Sequence, residues 1–337
     1  MDNRKQGSRS ALRAMVGFSD PSAVAPYPAD RRRITRECAQ RRRDGESPMV
    51  LAAEWSAHVK ALLDPTVAAT GSTGRGEATP WSDLDAIRVS GGPAPRLAAL
   101  IDAGMADANG VTADDPHLPR NEDLWRRSAW IWSAHPSGGL GVVKMGLLAD
   151  AAHPMRAAAA ESVPGSPMVA DMLRDALSTT IPSLGRWRHR RKTIHVKRDL
   201  LTPVVKLARW AALASGSEAL ATCDRIAAAD DDHLDHGERA RLAAAFETFF
   251  ALKVDAELGT VDPAVSTGPV RLPSQAGAPP GSAGDPHLVT LAALPASRHD
   301  ALRRAANDAR SVQRAVGFRL STSGYAPDPL LDCGESR

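Results

Sequence analysis

Aromatic side chains are scarce: five Phe, two Tyr and seven Trp make up only 4% of the 337 residues. Since alanine, leucine and valine carry most of the 43% hydrophobic fraction, this scarcity argues against an all-β sandwich and for helices. Cysteine is nearly absent too. Cys38, Cys223 and Cys333 lie far apart and are odd in number. No disulfide framework or CxxC metal knuckle can be drawn, as expected in a reducing cytosol. No apolar run approaches the length of a membrane span, and no apolar stretch follows the charged start MDNRKQGSRS. Secretion and membrane spanning are not expected, and the chain reads as cytoplasmic. Nor does one sign of charge dominate: 42 Lys+Arg oppose 39 Asp+Glu, a formal net charge of +3. That balance excludes a wholesale basic coat for nucleic acid and leaves only local patches.

The length suits two domains of ordinary size. Residues 1–46 are polar and basic, with arginine triplets at 31–33 and 41–43. They read as a solvated arm or first helix, the alternative being a phosphate-contacting element. Ser47 and Pro48 open a helix in which Val50, Leu51, Trp55, Val59, Leu62 and Leu63 share a face. Two short extended runs, 66–70 and 83–89, flank the segment GSTGRGEATPWS. Helices are predicted over 96–106 and 124–134, the second carrying Trp125, Trp130 and Trp132 for packing. Residues 142–149 read as a further strand closing at Asp150.

Beyond about residue 156 strand signals vanish. Helices are predicted over 167–186, 199–215, 218–228, 236–258 and 297–317, with Asp235 and Glu238 as a capping box for the fourth. The Pro/Gly/Ser-rich stretch 261–286 reads as a mobile surface loop. The expectation is an α+β chain: a basic arm at 1–46, a mixed domain with a short sheet at 47–155, an all-α bundle at 156–320 and a tail at 321–337.

The sharpest feature is Gly71-Ser72-Thr73-Gly74-Arg75-Gly76-Glu77 followed by Ser82-Asp83-Leu84-Asp85, with ten residues between Ser72 and Asp83. A Gly-Ser turn after a short strand exposes backbone N–H groups and a hydroxyl at a helix start, where a phosphate can be cradled. In an extended segment side chains alternate, so Asp83 and Asp85 share one face while Leu84 takes the other. Two carboxylates on one face make a hard-oxygen site suited to Mg²⁺. With a nucleotide supplying phosphates, that pairing can serve a two-metal in-line displacement. The Walker lysine pattern and the dinucleotide GxGxxG are both absent.

The segment GSTGRGEATPWSDLD resembles the signature of the DNA polymerase beta type nucleotidyltransferase superfamily. Its form is most similar to the N-terminal part of PII-protein uridylyltransferases. It is also similar to their shorter relatives, the signal-transduction nucleotidyltransferases with a helical substrate-binding domain (domain of unknown function 294). Further segments resemble that shorter family: Asn121 to Arg126 with Trp132; Met145 to Asp150; His195 to Arg198 with Leu201-Thr202-Pro203 and Leu207-Ala208-Arg209; Thr222 to Ile226; and 309–316 with Gln313. The chain departs from the family's pattern at Ala152, where an arginine is usual, and at His195, where an aspartate is usual.

The resemblance implies an N-terminal nucleotidyltransferase fold at 47–155 and a helical substrate-binding domain after it. It implies transfer of NMP from an NTP such as ATP or UTP to a hydroxyl, with pyrophosphate released and two Mg²⁺ or Mn²⁺ ions held by Asp83 and Asp85. Asp150 would be the third catalytic acid. Gly71 and Ser72 would bind the β/γ-phosphates, Arg75 would neutralise triphosphate charge, and Glu77 would pair with Arg75. Lys197 and Arg209 would line the cleft from the bundle. The acceptor would be a protein, such as a PII-like regulator, or a small molecule, and nucleic acid is not an expected partner. The basic cluster 186–192 reads as a solvated helix end beside the cleft. The alternatives are a catalytically silent nucleotide-binding regulator and an aminoglycoside-type transferase.

Overall fold

The computed structural model describes residues 27–102, 105, 115, 117–136, 139–185, 193–260 and 285–323. These form helices α1 (Tyr27–Arg43) and α2 (Pro48–Leu62), strand β1 (Val67–Ala69), the short helix α3 (Gly71–Arg75), strand β2 (Ala86–Arg88) and helices α4 (Pro95–Asp102), α5 (Glu122–Ala134), α6 (Gly139–Ala149), α7 (Met155–Ser162) and α8 (Met168–Ser178). There follow β3 (Thr193–His195), a π-helical turn (Val196–Leu201), α9 (Thr202–Ala214), α10 (Thr222–Ala227), α11 (His236–Glu257), β4 (Leu288–Thr290) and α12 (Ala296–Ser323). The architecture is mostly helical, with two small antiparallel sheets, β1–β2 and β3–β4.

The cap signals act as their chemistry dictates. The Asp235 carboxylate accepts from the Glu238 amide at 2.7 Å, and the Glu238 carboxylate accepts from the Asp235 amide at 3.0 Å, closing the capping box of α11. Asn121 caps α5 by accepting from the Leu124 amide at 2.9 Å. Along α11, Leu242, Phe246, Phe249, Phe250 and Val254 are buried, with Phe246 and Phe250 stacked at 5.6 Å. The helix packs against α12 on one side and α2 on another. Buried side chains form one continuous core from Ile34 to Val316.

Two expectations need correction. Residues 142–149 lie in helix α6, whose neighbours are α5, α7 and α8. Val142, Met145, Leu148 and Ala149 are buried while Val143 is 60% exposed, a helical spacing that a short apolar run conceals. Strand structure also returns after residue 156, since Thr193, Ile194 and His195 pair with Thr290, Val289 and Leu288 across nearly a hundred residues. Three-residue strands with a distant partner leave almost no local signal. Of the two readings of the basic start, residues 27–43 take the first helix. Helix α1 buries Ile34, Cys38 and Ala39, and Arg42 pairs with the buried Asp255 of α11 at 2.7 Å. The basic cluster 186–192 and residues 261–284 of the expected loop lie outside the described residues. No described helix is long and apolar enough to cross a membrane.

Candidate functional site

Strand β1 ends at Ala69, and its partner β2 begins at Ala86, so the ladder delivers Thr70 and Asp85 side by side. The Thr70 amide donates to the Asp85 carbonyl at 2.9 Å, and the Thr70 hydroxyl donates to the Leu147 carbonyl of α6 at 2.5 Å. Thr70 then starts α3 from an extended conformation. Gly71 follows with φ +59°, and a Cβ placed on it would lie 2.3 Å from the Asp85 Oδ2. Only glycine meets both demands, the left-handed backbone and the close approach of a carboxylate.

Asp83 and Asp85 flank Leu84, which is 1% exposed, so the two carboxylates turn to the face that the alternation predicted. Asp83 is 47% exposed and pairs with Lys197 Nζ at 3.3 Å, bringing the π-helical turn of the bundle onto the metal-site candidates. Asp85 is more enclosed: burial first, and then the charge of Asp83, raise its pKa to about 6. Two hard-oxygen donors that repel each other fit a divalent cation, whose charge would relieve both effects. Ser72 follows Gly71 in the first turn of α3 and is half-buried. Gly71, Asp83, Asp85 and Lys197 are thus gathered in one place, with Ser72 next to Gly71 in the chain.

The other three expected site residues form an adjoining cluster, whose Arg75 and Asp150 charges both act on Asp85. Asp150 terminates α6 and is 1% exposed. Arg225 donates to its Oδ1 at 2.7 Å, Arg209 to its Oδ1 at 3.2 Å and to its Oδ2 at 2.5 Å, and Arg75 also to its Oδ2. Burial alone would raise its pKa, but Arg209, Arg75 and Arg225 together outweigh burial and hold the carboxyl well below the usual range. Both Asp150 oxygens are thus enclosed by guanidinium groups in this conformation. Arg75 and Arg209 are likewise committed to carboxylates. The Glu77 pairing holds, at 2.8 Å to Arg75 Nε.

Close packing fixes this cluster in place. A Cβ at Gly74 would fall 1.9 Å from the Asp150 carbonyl, so α3 lies directly on the end of α6. Glu77 also accepts from the Thr222 amide at the start of α10 at 2.6 Å. Arg225, from α10, further donates to the Ala149 and Ala219 carbonyls at 2.6 and 3.0 Å. Burial lowers its pKa to about 10 against the opposing pull of Asp150.

Arg225 and Lys253 were not singled out as site residues. Arg225 sits in a segment noted only for its family likeness. Lys253, on α11, is 4% exposed, 3.1 Å from Glu257 and 3.3 Å from the Thr79 hydroxyl of the loop leading to Asp83. Burial lowers its pKa although Glu257 opposes the shift. Its sequence signal was a lysine among the apolar positions of an amphipathic helix. Glu257 in turn accepts from His287 at 2.8 Å; burial would raise its pKa, but Lys253 and His287 outweigh that and bring it to about 2.

No curated protein sequence matches the chain. Residues 166–266, which run from the start of α8 through α9, α10 and α11, match the family model described as "Putative nucleotidyltransferase substrate binding domain". Over those residues the chain is similar to that nucleotidyltransferase-related family.

Proposed function

We propose that the chain is a nucleotidyltransferase that moves NMP from an NTP to a hydroxyl acceptor and releases pyrophosphate, with residues 47–155 as its catalytic part. The observation that carries this reading is the meeting of Gly71, Asp83, Asp85 and Lys197 in one place, with Gly71 pressed against the Asp85 carboxylate. Asp83 and Asp85 would hold Mg²⁺ or Mn²⁺, which when bound supplies charge neutralisation for the triphosphate and the leaving pyrophosphate. The N–H groups and hydroxyl of the Gly71–Ser72 turn bind the β/γ-phosphates. Lys197 exchanges Asp83 for a phosphate oxygen once the carboxylate turns to a cation, so the bundle is drawn onto the nucleotide. The neighbouring helices select the acceptor, a protein such as a PII-like regulator or a small molecule.

One observation favours a second reading. Asp150, the expected third acid, is saturated by three arginines. A site with two acids and no free base would suit a regulator that binds nucleotide and signals through its helices without transfer.

Incubation with each NTP labelled on its α-phosphate, Mg²⁺ and a cell extract separates the two readings. Label on a protein or small-molecule fraction with wild type, and none with Asp85→Asn, supports transfer. Bound nucleotide without transfer to any fraction supports the regulator.

A further inference from the structure

Along β1, with neither Asp83 nor Asp85 in its lining, lies an open cavity of about 740 Å³, within the range of about 300–1,000 Å³ typical of small-molecule sites. Its walls differ in chemistry. Pro65, Val67, Ala68, Val89 and Leu220 supply an apolar side. Lys60 of α2 and the first residues of α7, Met155 and Arg156, supply the other.

The polar side is short of negative charge. Arg156 meets Glu218 only at 3.6 Å from its Nε, and that buried nitrogen has no hydrogen-bond partner among the described residues. Lys60 Nζ donates to the Gly74 carbonyl at 2.6 Å, leaving two of its three protons unassigned. Its pKa is lowered by burial and then by Arg156, so the two cations converge on one space. The N-terminal end of α7 adds the positive pole of a helix dipole to the same wall. Glu122, the carboxylate on the rim, is half exposed and faces Arg126 at 3.7 Å.

We propose that this cavity is a second ligand site, taking a phosphorylated small molecule with a flat apolar body. The phosphate would sit between Lys60, Arg156 and the start of α7, and the body would lie against Val67, Ala68 and Val89. Arg156 Nε gains the acceptor it lacks, and an isolated phosphate would leave the apolar wall unused. The site needs no metal, which separates it from the Asp83–Asp85 cleft.

Calorimetric titration of the full chain in metal-free buffer, with inorganic phosphate and with AMP as probes, tests this. AMP is expected to bind at least tenfold more tightly than phosphate. Arg156→Gln and Lys60→Gln should each weaken AMP about tenfold or more, while Arg174→Gln, an exposed residue outside the cavity, leaves it unchanged. If the variants fail to fold, protection of Lys60 from acylation by AMP in the wild-type chain reads the same contact. Absence of AMP binding at millimolar concentration, undiminished binding in both cavity variants, equal loss in Arg174→Gln, or unprotected Lys60 would each overturn the proposal.

Discussion

Arg225 and Asp150 face each other at 2.7 Å with side chains 1% and 2% exposed, an ion pair formed between α10 and the end of α6. Two further arginines complete the shell around Asp150, which makes it the hinge point of contacts between α3, α6, α9 and α10. Removing the carboxylate leaves three guanidinium groups facing one another without a counter-charge. Asp150→Asn is expected to cost about 3–5 kcal/mol in urea unfolding. Arg225→Met removes one of three partners and should cost less. The double variant should be more stable than the sum of the single losses by at least about 1 kcal/mol. Additive losses would show that the pair is not coupled.

Glycines 71 and 76 offer a matched comparison. Both have positive φ, +59° and +81°, but a Cβ at Gly76 meets nothing within 4 Å while one at Gly71 strikes Asp85 Oδ2. Gly76→Ala should lose about 1 kcal/mol through backbone strain and keep nucleotide binding. Gly71→Ala should lose more stability and abolish binding of NTP with Mg²⁺. Equal effects of the two substitutions on nucleotide affinity would contradict the contact.

Asp85 makes apo-protein stability depend on pH. Its folded pKa, about 6, lies above the ordinary value of 3.8. The folded state therefore holds its proton more tightly, and the associated stability is present below about pH 4 and lost as pH rises through 6. Asp85→Asn should accordingly stabilise the metal-free protein at pH 8, by on the order of 1–2 kcal/mol after allowance for partial solvent access. The gain should fade as pH falls from 6 to 4, measured by urea unfolding across that window. A gain that is the same at pH 4 and pH 8 would show that repulsion and burial of the charge are not its source.

Lys197 and Asp83 are 44% and 47% exposed, so their pair adds little to stability, about 0–1 kcal/mol. Lys197→Ala should leave Tm within a few degrees of wild type and weaken NTP binding about tenfold or more. A large drop in Tm with unchanged affinity would place Lys197 in the scaffold instead of the cleft.

Much of the site was legible in the sequence because its signals are local. The Gly71–Ser72 turn, the alternation around Leu84 and the capping box at Asp235 each depend on residues within a few positions of one another, and the structure reproduces all three. What was missed depends on distance along the chain. Helix α6 reads as a strand because its apolar residues run together, and only its burial against α5 and α7 reveals the helical face. The β3–β4 pair joins residues nearly a hundred apart. Asp150 looked available because no sequence window contains Arg75, Arg209 and Arg225 at once; they arrive from 75 and 59 residues away on one side or the other.

The proposed function stands on a metal and nucleotide site formed by Asp83 and Asp85. Electron paramagnetic resonance of Mn²⁺, titrated into the protein with a non-hydrolysable NTP, measures it directly. Wild type should bind Mn²⁺ with the nucleotide present, and Asp83→Asn and Asp85→Asn should lose that binding while staying folded. Equal Mn²⁺ uptake by wild type and both variants would contradict the account.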